Sequence, residues 1–277
     1  MNDFIREGEA SVVSETKVTV SAHALVEMPV QEFRRTPLPC EPVLLLTGCI
    51  DPKGMRFTAR NDPSVRRNDY KDALRSWVNK SDFKKIVLCE NSGADLSDFE
   101  EMVTGSGKEV ELISFVAPEF EEWKGKGYGE LLIIEHAMEN SKLIDEHSRV
   151  MKCTGRLFFS SHKKYYNHGV NGEFDFSMDV FRSLDECDVR AFFGSYDFIT
   201  KYLLPFKDRL DERTEPMQNL EHVMGQAVFR ALSDMMKYEP LPATPFFVGH
   251  SGTLNYAYKP YRTIIGRHAR VIHKRYL

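Results

Sequence analysis

The segment "VLLLTGC", residues 43–49, runs into the polar turn "IDPKG", residues 50–54, and this junction sets the fold class. An apolar run without polar alternation suits a strand covered on both faces, as in parallel sheets flanked by helices. Downstream, "PSVRRNDYKDALRSWVN" (63–79) has helical spacing and "KKIVLCE" (84–90) is a second apolar run, so strand and helix alternate. The alternation continues through a short helix "LSDFEEMV" (96–103), a strand "VELISFV" (110–116), a helix "ELLIIEHAMENSKLI" (130–144) and a fourth strand "RVMKCTGRLFF" (149–159). These elements predict a Rossmann-like α/β first half.

The second half is mixed. "FDFSMDVFRSL" (174–184) and "VRAFFGS" (189–195) read as strands, and "DFITKYLLPFKDRLDER" (197–213) and "NLEHVMGQAVFRALSDMMK" (219–237) as helices. "FFVGHSGTLNYAYK" (246–259) reads as a late strand and loop. No Pro/Gly linker interrupts the chain near residue 160, so residues 43–258 are expected to form one continuous domain. Residues 1–42, closing on "RTPLPCEP", read as an extended N-terminal arm, and 259–277 as a basic tail.

With 277 residues, 42% hydrophobic and 28% charged, the chain is long and apolar enough to bury a full core. A net charge of −4 supplies no general basic field and argues against sequence-independent nucleic-acid binding. Five cysteines stand singly without CxxC spacing, which suits reduced thiols in a cytoplasm. The first twenty residues lack a basic n-region and an apolar core, and no apolar run approaches ~18 residues, so neither secretion nor a membrane span is expected. The nine histidines lack zinc-binding spacing, and the phenylalanine-rich strands read as core rather than as a base-stacking platform.

Ligands of open parallel sheets sit at the carboxyl ends of the strands. Three loops occupy such ends: "TGCIDPKG" (47–54), "ENSGAD" (90–95) and "KCTGR" (152–156). Loops are also polar on general grounds. "KGKGYGE" (124–130) precedes the helix expected from residue 130, where helix N–H groups favour an anion and Lys124 and Lys126 add charge. Its spacing is neither GxGxxG after a strand nor GxxxxGK[ST]. The alternative is a capped helix start, with Glu130 in the first turn complementing the dipole.

Taken in order, "LLLTGCIDP", "NDPSVRRNDYKDALRSWV", "KKIVLCENSGADLSDFEEM", "GKGYGELLIIEHAMENSKLI" and "KCTGRLFF" resemble bacterial glycosyltransferases of the GT-A type, which build capsule, lipopolysaccharide or O-antigen chains. Weaker echoes follow at "RAFFGSYDFITKYL" and "LEHVM". The resemblance implies a GT-A-like, mostly parallel sheet with a nucleotide-sugar donor over about 43–160 and a mixed acceptor half over about 161–258. It implies that Thr47 and Asp51, with Arg66 and Asp69, border the nucleotide and that Glu90 and Asn91 lie beside the base or ribose. Gly127, Gly129 and Glu130 would face the donor sugar, with no covalent cofactor.

One departure bears on the chemistry. Most GT-A enzymes place a DxD at the end of the fourth strand, where its carboxylates hold Mn²⁺ or Mg²⁺. This chain has "CTGR" there. Lys152 and Arg156 lie four residues apart, so in a continuous strand both face one side and supply cationic charge to a leaving phosphate without a metal. Asp175 and Asp179 offer a second-choice metal pair or simply a solvated strand face, and the metal requirement stays open. An acceptor hydroxyl needs a base within hydrogen-bond reach. Glu221 and His222, at the front of an amphipathic helix, are candidates beside Glu130, the bland reading being a solvated Glu and a packed His. His250 and Ser251 form a further polar loop, without a GxSxG elbow.

The expected activity is sugar transfer from a nucleotide-sugar to a bacterial surface-glycan acceptor, free or lipid-linked, without nucleic acid. A sugar nucleotidyltransferase is the rival in the same sheet type; it needs a glycine-rich basic loop after the first strand, of which "TGCIDPKG" is a faint version. A non-catalytic nucleotide- or glycan-binding module is the rival of another class. The tail 259–277 carries six Lys or Arg and no acidic residue. As a helix from about Thr263, it fits either a segment lying on the anionic inner face of the plasma membrane or a docked terminal helix with a solvated basic face.

Overall fold

The structure, a computed structural model, describes residues 38–181 and 184–258. The expected N-terminal arm lies almost wholly, and the basic tail wholly, outside the described residues.

The predicted alternation holds through the first half: β1 (Val43–Gly48), α1 (Pro63–Lys80), β2 (Lys85–Glu90), α2 (Ser97–Val103), β3 (Glu109–Ser114), α3 (Gly125–Asn140) and β4 (Arg149–Thr154). There follow β5 (Leu157–Phe159), α4 (His162–Asn171), β6 (Phe176–Ser177), β7 (Ala191–Ser195), α5 (Leu220–Ser233), β8 (Tyr238–Glu239) and β9 (Phe247–Gly249). Seven strands make one sheet in the order β3-β2-β1-β4-β7-β6-β8, while β5 and β9 form a separate antiparallel pair. The β1–β2, β2–β3 and β1–β4 pairings are parallel, and β7 runs antiparallel to β4 and β6. The fold is therefore α/β with a mostly parallel sheet.

Both faces of the central strands are buried, which is why their sequences do not alternate. Val43, Leu45 and Val150 pack on one side with α3 and α5; Leu44, Leu46 and Met151 pack on the other with α1. Trp77 of α1 anchors the second layer, with edge-on contacts to Phe83, Phe158 and Phe159 and its Nε1–H donated to Leu157 O at 2.8 Å. Local signals start α1: Asp62 accepts N–H bonds from Ser64 and Val65, and Pro63 stands in the first turn. No helix among the described residues is long and apolar enough to cross a membrane.

Four expectations are corrected. The run "RVMKCTGRLFF" is not one strand; it breaks at Thr154–Arg156, so β4 and β5 belong to different sheets. Lys152 and Arg156 thus do not share a strand face. The helix expected from Glu130 begins at Gly125, so the glycines of "KGKGYGE" lie inside it and Glu130 is in its second turn. Gly127 belongs there because a Cβ would stand 2.8 Å from Leu220 Cβ. "FDFSMDVFRSL" contributes only Phe176–Ser177 to the sheet. The helix expected over 197–213 is a wide π-type turn, Phe198–Leu203, followed by a 3-10 segment, Leu204–Arg209, because Pro205 has no N–H for a regular ladder.

The break after β4 depends on Gly155, whose N–H donates to Thr47 O at 2.9 Å; a Cβ there would stand 2.7 Å from that oxygen. Because the obstructing atom is backbone, Gly155→Ala is expected to cost ~1–3 kcal/mol. Urea unfolding measures this, and an unchanged midpoint would mean that the turn has room to spare.

Candidate functional site

Within the order β3-β2-β1-β4, successive connections leave β1 in opposite directions, so the topology switches between β1 and β4. Such a switch opens a crevice at the carboxyl ends of the strands. Residues 47–54 and 154–156 border it, and the antiparallel β7 delivers its leading residues Asp188–Arg190 to the same end, with Thr154 N–H donated to Arg190 O at 2.9 Å.

Lys152 is 1% exposed and donates to Val189 O at 2.7 Å while pairing with Glu130 Oε1. The same Glu130 oxygen accepts from Thr47 Oγ1 at 3.0 Å. Burial opposes the Glu130 charge, but the Lys152 ammonium, the Thr47 hydroxyl and the Arg156 guanidinium outweigh it and hold the carboxyl below its usual range. Glu221, half-buried at the start of α5, is shifted the other way. Burial, with the charges of Glu130 and Asp188, raises its pKa against the opposing effects of its own backbone N–H and of Lys126. Two carboxylates in one crevice are thus driven apart in acidity, the arrangement in which one stays charged while the other exchanges a proton.

Arg156 supplies the cation. Its Nη1 donates to His250 O at 2.6 Å, while its Nε is buried without a hydrogen-bond partner among the described residues. Gly252 closes over the same guanidinium, since a Cβ there would stand 2.6 Å from Nη2, so the fork is held in place by the backbone of the 250–252 segment. The strap His250–Asn255 crosses beside it: Arg60 N–H donates to Gly252 O at 3.1 Å, Arg60 Nη1 to Asn255 Oδ1 at 2.8 Å, and Lys126 Nζ bonds Thr253 Oγ1. Lys124, by contrast, lies over the Tyr128 ring at 4.3 Å and within 3.9 Å of Glu121 and Asp208.

Other residues named from sequence support loops. Arg66 spends its donors on Cys49 O and Arg60 O at 2.8 and 2.9 Å, pinning the β1–α1 connection. Glu90, 1% exposed, accepts from the N–H groups of Ile50, Ser92 and Ala94 at 3.0, 2.8 and 3.1 Å and from the Ser92 and Ser114 hydroxyls. Asp69 pairs with Arg60 and faces His250 Nδ1 at 3.5 Å. Asp51 Oδ1 caps Lys53 N–H at 2.9 Å. Asn91 Nδ2 donates to Gly129 O at 3.3 Å, and its buried Oδ1 has no partner among the described residues. His222 is engaged elsewhere, its Nδ1 3.0 Å from Asn219 Oδ1 and 3.4 Å from Glu186. Asp175 accepts Lys237 N–H at 2.7 Å, at the far edge of the sheet.

The sequence reading missed Asp188 and Arg190, paired at 2.9 and 2.5 Å, and the carbonyl of His250. A carboxylate and a guanidinium two residues apart ahead of the apolar run "AFFGS" were the available signal. The end of β4 offers Thr154, Gly155 and Arg156 and no carboxylate pair, so it does not fit a divalent cation held by a DxD.

Fold and crevice together define an open α/β protein with a charged site at its topological switch point. No protein-family model matches the sequence, and no curated protein matches it. Among solved structures, the glycosyltransferase GlyE of Streptococcus pneumoniae is similar at a TM-score of 0.45 and 10% identity, over 72% of this chain and 45% of that one. The chain thus spans less than half the length of GlyE. A putative nucleotide-diphospho-sugar transferase of Desulfovibrio desulfuricans gives 0.43 and 11%, over 73% and 80% of the two chains. A putative glucose-1-phosphate thymidylyltransferase of Bacillus anthracis gives 0.41 and 8%, over 76% and 89%.

The two carboxylates predict opposite stability effects. Glu130→Gln leaves the buried Lys152 ammonium without its counter-charge; since the Glu130 side chain keeps 24% exposure, the cost is expected near the low end of ~3–5 kcal/mol. The depressed Glu130 pKa means that this contribution is present above the ordinary carboxylate range and lost as pH falls. The raised Glu221 pKa has the reverse sign: the folded protein binds the proton more tightly, so ionising Glu221 costs stability as pH rises. Glu221→Gln is therefore expected to melt above wild type at pH 8, with the gap closing toward pH 4. Thermal melts across that range check both, and a gap that widens on acidification would contradict the Glu221 assignment.

Proposed function

We propose that the chain transfers a sugar from a nucleotide-sugar donor to a glycan acceptor, with the donor held by residues 43–160 and the acceptor by 161–258. The observation that carries this reading is the Arg156 guanidinium, anchored by a carbonyl rather than by a carboxylate, in the crevice that also holds Glu221 and the Glu130–Lys152 pair. In any such transfer a proton leaves the acceptor hydroxyl, the acceptor oxygen bonds the anomeric carbon, and the bond to the diphosphate breaks. Glu221 takes the proton; its raised pKa brings it nearer the strength a base needs at neutral pH. Arg156 and Lys126 receive the charge that builds on the departing diphosphate. The Glu130–Lys152 pair fixes the crevice wall, and Thr47 ties it to the end of β1.

Cationic side chains thereby take the place of a divalent metal, and no step is routed through one. The bacterial surface-glycan acceptor belongs to the same reading and rests on the sequence resemblance, cytoplasmic placement rests on the singly placed cysteines, and contact of residues 259–277 with an anionic membrane rests on the basic composition of that tail.

Calorimetry with UDP-, GDP-, CMP- and dTDP-sugars tests the donor; no heat with any of them at millimolar concentration sinks the proposal. Arg156→Ala is expected to weaken donor handling about 10–150-fold, the ~1.5–3 kcal/mol of a charge-assisted bond. Full activity of that variant, or abolition by EDTA with rescue by Mn²⁺, would refute the cationic role. Glu221→Gln is expected to lower kcat ~10²–10⁴-fold while donor still binds. Pyrophosphate release from a nucleoside triphosphate and a sugar 1-phosphate would point instead to a nucleotidyltransferase, and donor binding without turnover to a non-catalytic module.

A further inference from the structure

The side of α5 flanking Glu221 carries a groove that the proposed transfer does not use. His222, Gly225, Gln226 and Phe229 recur at three- and four-residue spacing and therefore share one side of the helix. With Asp185, Pro216 and Gln218 they line a cavity of about 370 Å³. Gly225 lets one wall close in, since a Cβ there would stand 2.6 Å from Asp185 O.

The lining is pre-set for hydroxyl groups. Arg209 donates to Gln226 Oε1 at 2.9 Å, Gln226 Nε2 to Gln218 Oε1 at 2.6 Å, and Gln218 Nε2 reaches Pro216 O at 3.4 Å. This chain fixes both amides while leaving each oxygen a lone pair and each nitrogen a proton. His222 holds Asn219 through Nδ1, which leaves Nε2 for a ligand. Phe229 is 46% exposed, a flat apolar surface beside those amides. Asp185 on one wall and Arg209 behind Gln226 leave the groove without a single sign of charge that would select an ion.

We propose that this groove binds a neutral oligosaccharide, its sugar rings stacked on Phe229 and their hydroxyls bonded to Gln218, Gln226 and His222. The proposal rests on the reading of the chain as a glycan-acting transferase. Because His222 follows Glu221 directly, the groove begins one helical step from the proposed base, and it extends ~10 Å along α5 to Phe229. An acceptor with its terminal sugar at Glu221 would lay its preceding units there, which makes the groove a determinant of acceptor length.

The test is titration of the ¹⁵N-labelled full chain with maltohexaose, cellohexaose and chitohexaose, and separately with UDP. Shifts are expected at the Gln218 and Gln226 side-chain amides and at Gly225, with binding weakened at least tenfold in Phe229→Ser at unchanged melting temperature. Gln226→Ala serves as the second variant should Phe229→Ser melt early. Oligosaccharide shifts in the groove without any nucleotide response would support the groove while removing the transferase reading. A nucleotide response with no groove shifts from any of the three hexasaccharides, or undiminished binding by both variants, overturns the groove. So does a concentration-dependent dimer that Phe229→Ser abolishes and no sugar perturbs, since the face then joins two copies of the chain.

Discussion

An ammonium group sits in the middle of a central strand, and much of the site follows from the need to pair it. Lys152 shares its face of β4 with Val150, so it points into the layer that holds α3 and α5 rather than into solvent. An unpaired charge there is untenable. Glu130 has to reach it, so α3 must run close under the sheet, and Val189 O has to meet the third side of the ammonium at the approach to β7. α5 then docks on the start of α3, where Gly127 leaves room for Leu220. That docking sets Glu221, the next residue of α5, near enough to Glu130 for the one negative charge to discourage the other.

Two glutamates at this end of the sheet look alike in the sequence and differ in their surroundings. Glu90 ends β2 and has its lone pairs taken by backbone and hydroxyl donors from two loops and the end of β3. A carboxylate so satisfied has little left to offer a ligand; it organises the turn after β1 and the turn after β2 around one point. Glu221 is surrounded by like charge and partial burial, and no side-chain hydrogen-bond donor to it is found among the described residues. The difference between the two lies in the donors and charges around each rather than in residue type.

The same accounting explains what sequence pattern could and could not convey. β1 and β2 were legible because burial on both faces imposes an apolar run, and α1 between them carried its own cap in Asp62 and Pro63. The break at Thr154–Arg156 was not legible, since "RVMKCTGRLFF" stays apolar on both sides of a turn whose cause is the approach of Gly155 to Thr47 O. The start of α3 was hidden for a related reason. Glycines usually mark loops, but Gly127 stands in this helix because Leu220, more than ninety residues away, needs the space. Asp188 and Arg190 were overlooked because a mixed-charge pair at a strand start has the look of solvated surface until β7 is known to run antiparallel.

Arg156 shows how a cation is kept available in so crowded a place. Had a carboxylate anchored it, the pair would be internally neutral and weakly attractive to an oxyanion. The anchor is instead the carbonyl of His250, which fixes the guanidinium plane with a dipole and leaves its full charge uncompensated by the anchor. Glu130 contributes only at a distance, its main partner being Lys152. The strap that carries His250 is itself held by Arg60 through Gly252 O and Asn255, and Arg60 is paired with Asp69 on α1. Orientation of Arg156 therefore passes from α1 to the strap to a single carbonyl, so that displacing the strap would turn the fork without touching the turn that bears it.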